Sequence, residues 1–188
     1  LMEAVRDYFK ADRSYLFELE PDQNKMINTY EAVDIGVTPQ IDNLQEVPLE
    51  CIAHWMDAFR REQVYYMDDL EQEKGYESYE ILQPQNIWRL LAMPLCRGGQ
   101  VMGFLGLDNP REHAQDATLL TSIQFFVTNT LDRRDQQRYL KRIGYYDMLT
   151  RLKNRNGYIE RLNEWKQIQL EQVGGVYVDM NGLKKTND

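Results

Sequence analysis

Two short stretches of this chain hold side chains that could bind a prosthetic group or an ion. Cys51 and His54 lie three residues apart, and a thiol can bond covalently to a chromophore while an imidazole can ligate a haem iron. Asp179 follows the apolar run 176–178, where a strand of an α/β sheet presents a carboxylate to a crevice at its carboxyl edge. We favour helix packing for Cys51 and His54, because their spacing and apolar neighbours suit a helix face.

Cysteine and histidine are scarce in this chain of 188 residues. Cys51 and Cys96 are too few for a disulfide scaffold, and His54 and His113 are too few for a dedicated metal cage. No stretch approaches the roughly 18 consecutive apolar residues of a membrane helix, and the first residues lack the pattern of a secretion signal. We therefore expect a cytoplasmic protein without membrane contact.

The charge changes sign along the chain. Residues 1–137 hold 12 basic and 24 acidic side chains, whereas residues 138–188 hold 10 basic and 6 acidic ones. Nucleic acids and anionic lipids require Lys and Arg opposite their phosphates. The acidic first part argues against a nucleic-acid partner, and an acidic surface that keeps the protein in solution is the simpler explanation.

The spacing of apolar residues predicts an antiparallel sheet with helices on its faces. We expect a helix over 2–10, strands over 14–20 and 26–33, a helix over 49–59, a strand over 63–67, a helix near 76–82, strands over 87–96 and 101–108, and a long helix over 116–146. Gly98 and Gly99 supply the positive φ angles of a tight turn. Gly103 and Gly106 suggest the close approach of another backbone or of a ligand.

The long helix has two different halves. Leu120, Ile123, Val127 and Leu131 are spaced so that the first half can pack on the sheet, whereas residues 132–138 are wholly polar. The second half therefore predicts a connector that pairs with a second chain as a parallel coiled coil, through the apolar positions from Leu120 to Leu131 and beyond. An ordinary C-terminal helix followed by a loop is the alternative.

The order of these elements resembles that of the GAF sensory domain. The likeness is carried by residues 11–17 (ADRSYLF), 28–31 (NTYE), 91–95 (LAMPL) and 103–110 (GFLGLDNP). It implies an α+β fold related to the PAS fold, with an antiparallel sheet flanked by helices and a long C-terminal signalling helix. It also implies a sensory role.

A small-molecule site is expected between the sheet and its covering helices, because such sites are apolar concavities with a few convergent polar groups. The ligand is unknown. The candidate lining residues are Tyr30, Trp55, Phe59, Tyr76, Tyr79, Trp88 and Met93. The same side chains could equally form the core.

Two further motifs resemble GGDEF diguanylate cyclase domains. Residues 146–155 (YDMLTRLKNR) match the opening pattern D-x-L-T-x-L-x-N-R, and residues 178–188 are similar to D-x-D-x-F-K-x-x-N-D. The resemblance implies that residues 146–188 are the incomplete first part of an α/β GGDEF domain, with a salt bridge between Asp147 and Arg155. We expect the glycine-glycine-acidic-acidic-phenylalanine signature beyond the last residue, so this stretch is not itself catalytic.

The same resemblance implies a role for individual residues in the complete domain. Asp179 and the backbone carbonyl of Met180 would be ligands of Mg²⁺, which prefers hard oxygen donors. The backbone N–H groups of Gly182 and Leu183 would face GTP phosphates at the start of a helix. Asn187 would hydrogen-bond the guanine.

These inferences predict a GAF-like core over residues 1–115, a closing helix and connector over 116–145, and a partial GGDEF domain over 146–188. We expect a homodimeric sensor in which ligand occupancy shifts the connector and controls the joining of two GTP into cyclic di-GMP. A ligand-free dimerisation scaffold is one alternative. A thiol-based methionine sulfoxide reductase, with Cys96 beside Arg97 as the reactive thiol, is the other.

Overall fold

The computed structural model describes residues 1–168, 174–176 and 178 of the chain. The chain divides into two compact units, Leu1–Asp132 and Arg133–Asp188. In the part that is described, no helix combines the length and the apolar character needed to span a membrane.

The first unit is built on one sheet in which all neighbouring strands are antiparallel. Its strands are β1 (Arg13–Glu20), β2 (Lys25–Val33), β3 (Val47–Pro48), β4 (Tyr65–Met67), β5 (Leu90–Arg97) and β6 (Gln100–Asp108). They lie in the order β3-β2-β1-β6-β5-β4. The two predicted hairpins, β1–β2 and β5–β6, are therefore confirmed, and their second strands are separated by β1 only.

The described α-helices are α1 (Met2–Phe9), α2 (Met56–Phe59), α3 (Glu77–Leu82), α4 (Ala117–Tyr145) and α5 (Arg155–Ile168). The predicted helices over 2–10, 76–82 and 116–146 are confirmed. The predicted helix over 49–59 is wrong as a single element. It consists of a 3₁₀ turn (Leu49–Ile52) followed by α2, because several of its N–H groups bond three residues back.

Two hydrophobic clusters occupy opposite faces of the sheet, since successive side chains of a strand alternate between its faces. The first cluster lies under α2, α3 and the turns beside them, and includes Phe17, Trp55 and Phe104. The second packs Leu16 and Leu105 against α1 and the first part of α4. The predicted α+β arrangement with helices on the sheet is confirmed.

The first half of α4 completes the core of its own unit. Leu120 and Val127 are buried in the second cluster, and Ile123 and Leu131 pack against it. The predicted pairing with a second chain cannot run through Leu120 and Val127, because their side chains are buried against their own sheet. The apolar residues that α4 exposes are Phe125, Phe126, Tyr139, Leu140 and Ile143.

In the second unit, a short turn precedes α5. An isolated β-bridge joins Tyr146 and Lys153. The carboxylate of Asp147 accepts hydrogen bonds from the backbone N–H and the hydroxyl of Thr150, at 2.8 and 2.7 Å. Among the described residues no ion pair joins Asp147 to Arg155, so the salt bridge implied by the resemblance is not formed; Thr150 takes that carboxylate instead.

Glycine is required at two positions of β6 because β1 lies very close to it. At Gly103 an added Cβ would overlap the backbone carbonyl oxygen of Phe17, and at Gly106 it would overlap the ring of Tyr15. The predicted close approach is thus made by the neighbouring strand. The predicted turn is also confirmed, with φ angles of 55° at Gly98 and 78° at Gly99.

We predict that Gly103→Ala destabilises the fold by about 3 kcal/mol, because the methyl group meets backbone and the two central strands must separate to admit it. Gly144→Ala is the control, since its Cβ meets open space in α4 and alanine favours a helix by about 1 kcal/mol. Urea unfolding of both variants measures the difference. Equal stability of Gly103→Ala and the parent chain would contradict the packing described.

Candidate functional site

A cavity of about 40 Å³ lies between the sheet and the segments that cover its first cluster. The volume admits about three water molecules. Its apolar wall is formed by Tyr15, Phe17, Met26, Leu44, Val47, Cys51, Ile52, Trp55, Ile81, Leu82, Ile87 and Phe104. The polar lining consists of Arg13, Glu31, Ser78, Gln85 and Asp108. An apolar concavity with a few polar groups is the usual form of a small-molecule site.

Arg13 and Asp108 are directly paired across β1 and β6, and both are almost fully buried. The Nη1 atom of Arg13 donates to Asp108 Oδ2 at 3.2 Å and to Gln85 Oε1. The Tyr15 hydroxyl donates to Asp108 Oδ1 at 2.9 Å. Gly106 makes this last bond possible, because the absence of a side chain there lets the Tyr15 ring lie flat on β6.

Burial raises the pKa of Asp108 to about 7, with smaller opposing effects of the Arg13 charge and the Tyr15 hydrogen bond. The nearby carboxylates of Glu31 and Asp12 also raise it. Because a buried carboxylate loses its hydration, the neutral acid is favoured in spite of the facing guanidinium. The Asp108 carboxyl therefore changes charge near neutral pH.

Two polar atoms of the cavity residues are buried and have no hydrogen-bond partner in the described part of the chain. They are Nε of Arg13, a donor, and Oε1 of Glu31, an acceptor. The other carboxylate oxygen of Glu31 accepts from the backbone N–H groups of Gln40 and Ile41, at 2.9 and 3.0 Å. A buried polar group without a partner costs about 1–3 kcal/mol, so a ligand atom brought within hydrogen-bond distance of either one would be stabilised there.

A second, larger cleft of about 290 Å³ adjoins the cavity. Its lining includes four residues that also line the cavity, namely Arg13, Gln85, Ile87 and Asp108. The remaining lining residues are mostly polar and come from the loops at 36–40 and 84–86, with Asp12 and Asn109. The Arg13–Gln85 hydrogen bond thus belongs to the boundary between the apolar cavity and the polar cleft.

The roof of the cavity is held by the buried carboxylate of Glu73. Its oxygens accept from the Tyr65 hydroxyl, the Ser78 hydroxyl and, at 3.4 Å, the Trp55 indole N–H. His54 Nε2 lies 2.9 Å from the same carboxylate. The His54 ring also stacks on Tyr76 at 3.8 Å between centroids. His54 therefore stabilises the segment that covers the cavity.

Trp55 is the only predicted pocket residue that lines the cavity. Phe59 is fully buried against Phe104, with ring centroids 5.6 Å apart, and fills the core beside it. Met93 is wrong as a lining residue because it belongs to the second cluster, on the opposite face of the sheet from its neighbour Ala92.

The remaining predicted lining residues lie outside the cavity. Tyr30 is exposed, and it lies on the sheet face opposite the cavity because it pairs with Leu16, which faces the second cluster. Tyr76 is exposed over His54, and Trp88 is exposed with the Arg89 guanidinium 5.0 Å from its ring centroid. Tyr79 is half-buried on α3. Aromatic type alone did not distinguish cavity from core or surface.

The residues that the sequence analysis missed are the polar ones, Arg13, Glu31, Gln85 and Asp108. One signal was available: Arg13 shares strand parity with the apolar Tyr15 and Phe17, so its side chain lies on a buried face. A charged residue at such a position needs a buried partner.

Neither cysteine is activated in this structure. Cys51 lines the cavity, and burial raises the pKa of its thiol, helped by the nearby Glu77 carboxylate. Burial also raises the pKa of the Cys96 thiol. Both thiols are therefore protonated at neutral pH, which is the unreactive form.

The predicted Mg²⁺ and GTP residues, Asp179, Met180, Gly182, Leu183 and Asn187, lie outside the described residues. Within the described ranges, no group of three or more His, Cys, Asp or Glu side chains is arranged to hold a metal ion.

Comparison with known proteins agrees with this architecture. The family model of the GAF domain matches residues 1–131. Among similar solved structures is the blue-light-absorbing form of the PixJ GAF domain from Thermosynechococcus elongatus, with 20% identity over 73% of this chain and 86% of that chain and a TM-score of 0.56.

Two other solved structures are also similar to this chain. GAF3 of Slr1393 from Synechocystis, in its photoproduct state, has 19% identity over 74% of this chain and 93% of that chain, with a TM-score of 0.59. Residues 122 to 287 of a methyl-accepting chemotaxis protein have 14% identity over 72% of this chain and 85% of that chain, with a TM-score of 0.56. No curated protein matches the chain. At these identities the likeness shows the fold alone.

We predict that the Asp108 carboxyl makes stability fall as pH rises from about 4 to about 7. Its pKa is raised from 3.8 to about 7 on folding, so between these pH values the folded chain holds a proton that the unfolded chain has released. The free energy of unfolding therefore falls by up to about 4 kcal/mol by pH 7. Urea unfolding between pH 4 and 8 tests this against Asp108→Asn, which cannot titrate there.

The free energy of unfolding of the parent chain, minus that of Asp108→Asn, should fall as pH rises and become constant above pH 7. Asp57→Asn is the matched control, because its side chain is exposed. A difference for Asp108→Asn that is independent of pH would show that this carboxyl keeps its ordinary pKa.

Proposed function

We propose that this chain, which belongs to the GAF domain family over residues 1–131, senses a small molecule that binds at the cavity beside Arg13. The observation that carries the proposal is the pair of buried polar atoms, Arg13 Nε and Glu31 Oε1, that lack partners among the described residues of an otherwise apolar cavity. A ligand that hydrogen-bonded to both atoms would remove the free-energy cost of burying them without a partner.

A tetrapyrrole is the second candidate ligand, because one similar solved structure is a far-red-absorbing dark state with bound biliverdin. The cavity of about 40 Å³, even together with the adjoining cleft of about 290 Å³, is smaller than such a molecule. Cys51 and His54, the residues suited to attach or ligate a prosthetic group, are engaged with Glu77 and Glu73. These contacts favour a small ligand over a chromophore.

The output that we propose is a GGDEF diguanylate cyclase domain, supported by the two motifs at 146–155 and 178–188. In a complete domain, Asp179 and the Met180 carbonyl would hold Mg²⁺, while Gly182, Leu183 and Asn187 would contact GTP. The metal would stabilise charge on the reacting phosphate. A cytoplasmic location follows from this proposal, because GTP is the substrate.

Helix α4 is the element that we propose as the connector. Its first half packs on the sheet whose other face lines the cavity, and it continues without a break to Tyr145, one residue before the cyclase-like motif. A ligand controls the output if it binds one arrangement of this helix better than another.

A second copy of the chain is the partner that we propose for α4. Phe125 is 72% exposed and Phe126 is 57% exposed, and further along the helix Leu140 is 61% exposed. Exposed phenylalanines on a helix are typical of a surface that another chain covers. Joining two GTP molecules held by two subunits also requires a dimer.

The two alternatives have less support. The ligand-free scaffold leaves the cavity and its two unpartnered polar atoms without a role. The thiol reductase requires an exposed thiol of lowered pKa, whereas burial raises the pKa of both Cys51 and Cys96.

We predict that the purified chain releases a bound small molecule when it is denatured, and that Val47→Trp releases none. Val47 is buried beside the cavity, so a tryptophan there fills the space that the ligand needs. Mass spectrometry of the released fraction measures the effect. Ile35→Trp is the control, because that residue is fully exposed. Release of the same compounds from all three proteins would support the scaffold instead.

We predict that Phe125→Glu combined with Phe126→Glu abolishes cyclic di-GMP synthesis in a chain extended past Asp188 by the remainder of a GGDEF domain. The charges prevent the two copies of α4 from pairing, so the two GTP sites do not meet. Chromatography of products from GTP and Mg²⁺, and sedimentation of the same samples, measure activity and dimer together.

Ile35→Glu is the control for this pair of substitutions, because it places the same charge on an exposed apolar residue outside α4. A strictly monomeric parent chain at high concentration would contradict the dimer. A dimer of the extended chain without any cyclic di-GMP would contradict the cyclase output and leave the sensor proposal standing.

A further inference from the structure

The polar end of the cavity carries one positive and one negative side chain, each with an unused hydrogen-bonding atom. Arg13 offers Nε–H, and Glu31 offers Oε1; neither atom has a partner in the described ranges. Arg13 already bonds Asp108 and Gln85 through Nη1, and Glu31 already bonds two backbone N–H groups through Oε2. A ligand therefore needs an acceptor for the guanidinium and a donor for the carboxylate.

The charges around these atoms select the net charge of the ligand. An anion that reached Arg13 would also face the carboxylate of Glu31, and a cation that reached Glu31 would face the guanidinium of Arg13. The other polar neighbours, Tyr15 and Gln85, are neutral. A zwitterion places an opposite charge beside each group, because like charges in a poorly hydrated site are costly.

The spacing of the two side chains suits a very short zwitterion. Arg13 pairs with Val33 and Tyr15 pairs with Glu31 across β1 and β2, so Arg13 and Glu31 are diagonal neighbours on one face. Such positions lie about 7–8 Å apart and long side chains bridge them. The ammonium and carboxylate groups of an α-amino acid are attached to one carbon, which places both within this span.

The other end of the cavity selects the side chain of the ligand. Met26, Val47, Ile52 and Trp55 present apolar surface there. The one hydroxyl of that region, on Ser78, already donates to Glu73. A polar ligand side chain would thus lose its hydration without gaining a hydrogen bond.

We propose that the ligand is a free α-amino acid with an apolar side chain, bound with its carboxylate on Arg13 and its ammonium group on Glu31. The proposal rests on the proposed function, in which this cavity is the ligand site. The ligand enters from the polar cleft of about 290 Å³. Its carboxylate accepts from Nε of Arg13, and Gln85 moves off the guanidinium, so that the cleft and the cavity of about 40 Å³ together hold the ligand.

The test is calorimetric titration of the 188-residue chain, freed of bound ligand by unfolding and refolding, with L-leucine, L-isoleucine and L-methionine. L-Leucine amide lacks the carboxylate, and 4-methylpentanoate lacks the ammonium group. We expect at least one of the amino acids to bind. An analogue of it that lacks the carboxylate, or one that lacks the ammonium group, should bind at least tenfold more weakly, because one buried charge then loses its partner.

Two variants connect the binding to the named side chains. Glu31→Gln keeps an oxygen for the backbone N–H groups but removes the charge, so amino-acid binding should weaken at least tenfold. Binding of 4-methylpentanoate should be unchanged or tighter, which a merely unfolded variant would not give. Glu46→Gln is the matched control, because its side chain is exposed and pairs only with Lys25 among the described residues.

The outcomes separate the two proposals. If biliverdin binds, no amino acid does, and Val47→Trp removes the binding, the cavity is a ligand site and the amino-acid assignment is overturned. The assignment is also overturned if L-leucine amide or 4-methylpentanoate binds as tightly as L-leucine. If no probe binds and the native chain releases nothing on denaturation, both proposals fail.

Discussion

The buried carboxyl of Asp108 is the group on which the architecture of the site depends. It lies where β6 ends, beside the start of β1, and is held by the Arg13 guanidinium and the Tyr15 hydroxyl. Tyr15 reaches it only because Gly106 leaves room for the ring. The cost of burying the acid is thus partly offset by contacts from residues that line the polar part of the cavity.

Strands β1 and β6 contribute side chains both to the cavity on one face of the sheet and to the contact with α4 on the other. Along β1, Tyr15 and Phe17 point toward the cavity while Leu16 points toward α4, since side chains alternate across the sheet. A displacement of β1 or β6 therefore reaches α4 through one layer of side chains. A route of this kind carries a signal only if the packed helix has two discrete arrangements, which is what we propose for α4.

Much of the fold could be predicted from the sequence because its signals are local. Runs of strand-forming residues predicted both hairpins, the second one together with the Gly98-Gly99 turn, and a stretch whose only glycine or proline is Gly144 predicted the long helix. The segment over 49–59 was predicted less well, because its buried stripe is equally compatible with a 3₁₀ turn followed by a short helix. Tertiary packing, and not propensity, decides between them.

By itself the sequence determined most of the strands and helices, the family likeness, and the motifs that suggest a cyclase output, since each of these depends on residues close together in the chain. Only the tertiary structure decided the site. Arg13 and Asp108 are 95 positions apart, and their meeting depends on β1 inserting between β2 and β6. Which aromatic residues face a cavity, and which polar atoms remain without partners there, follows from strand register and burial, and neither is written in any local pattern.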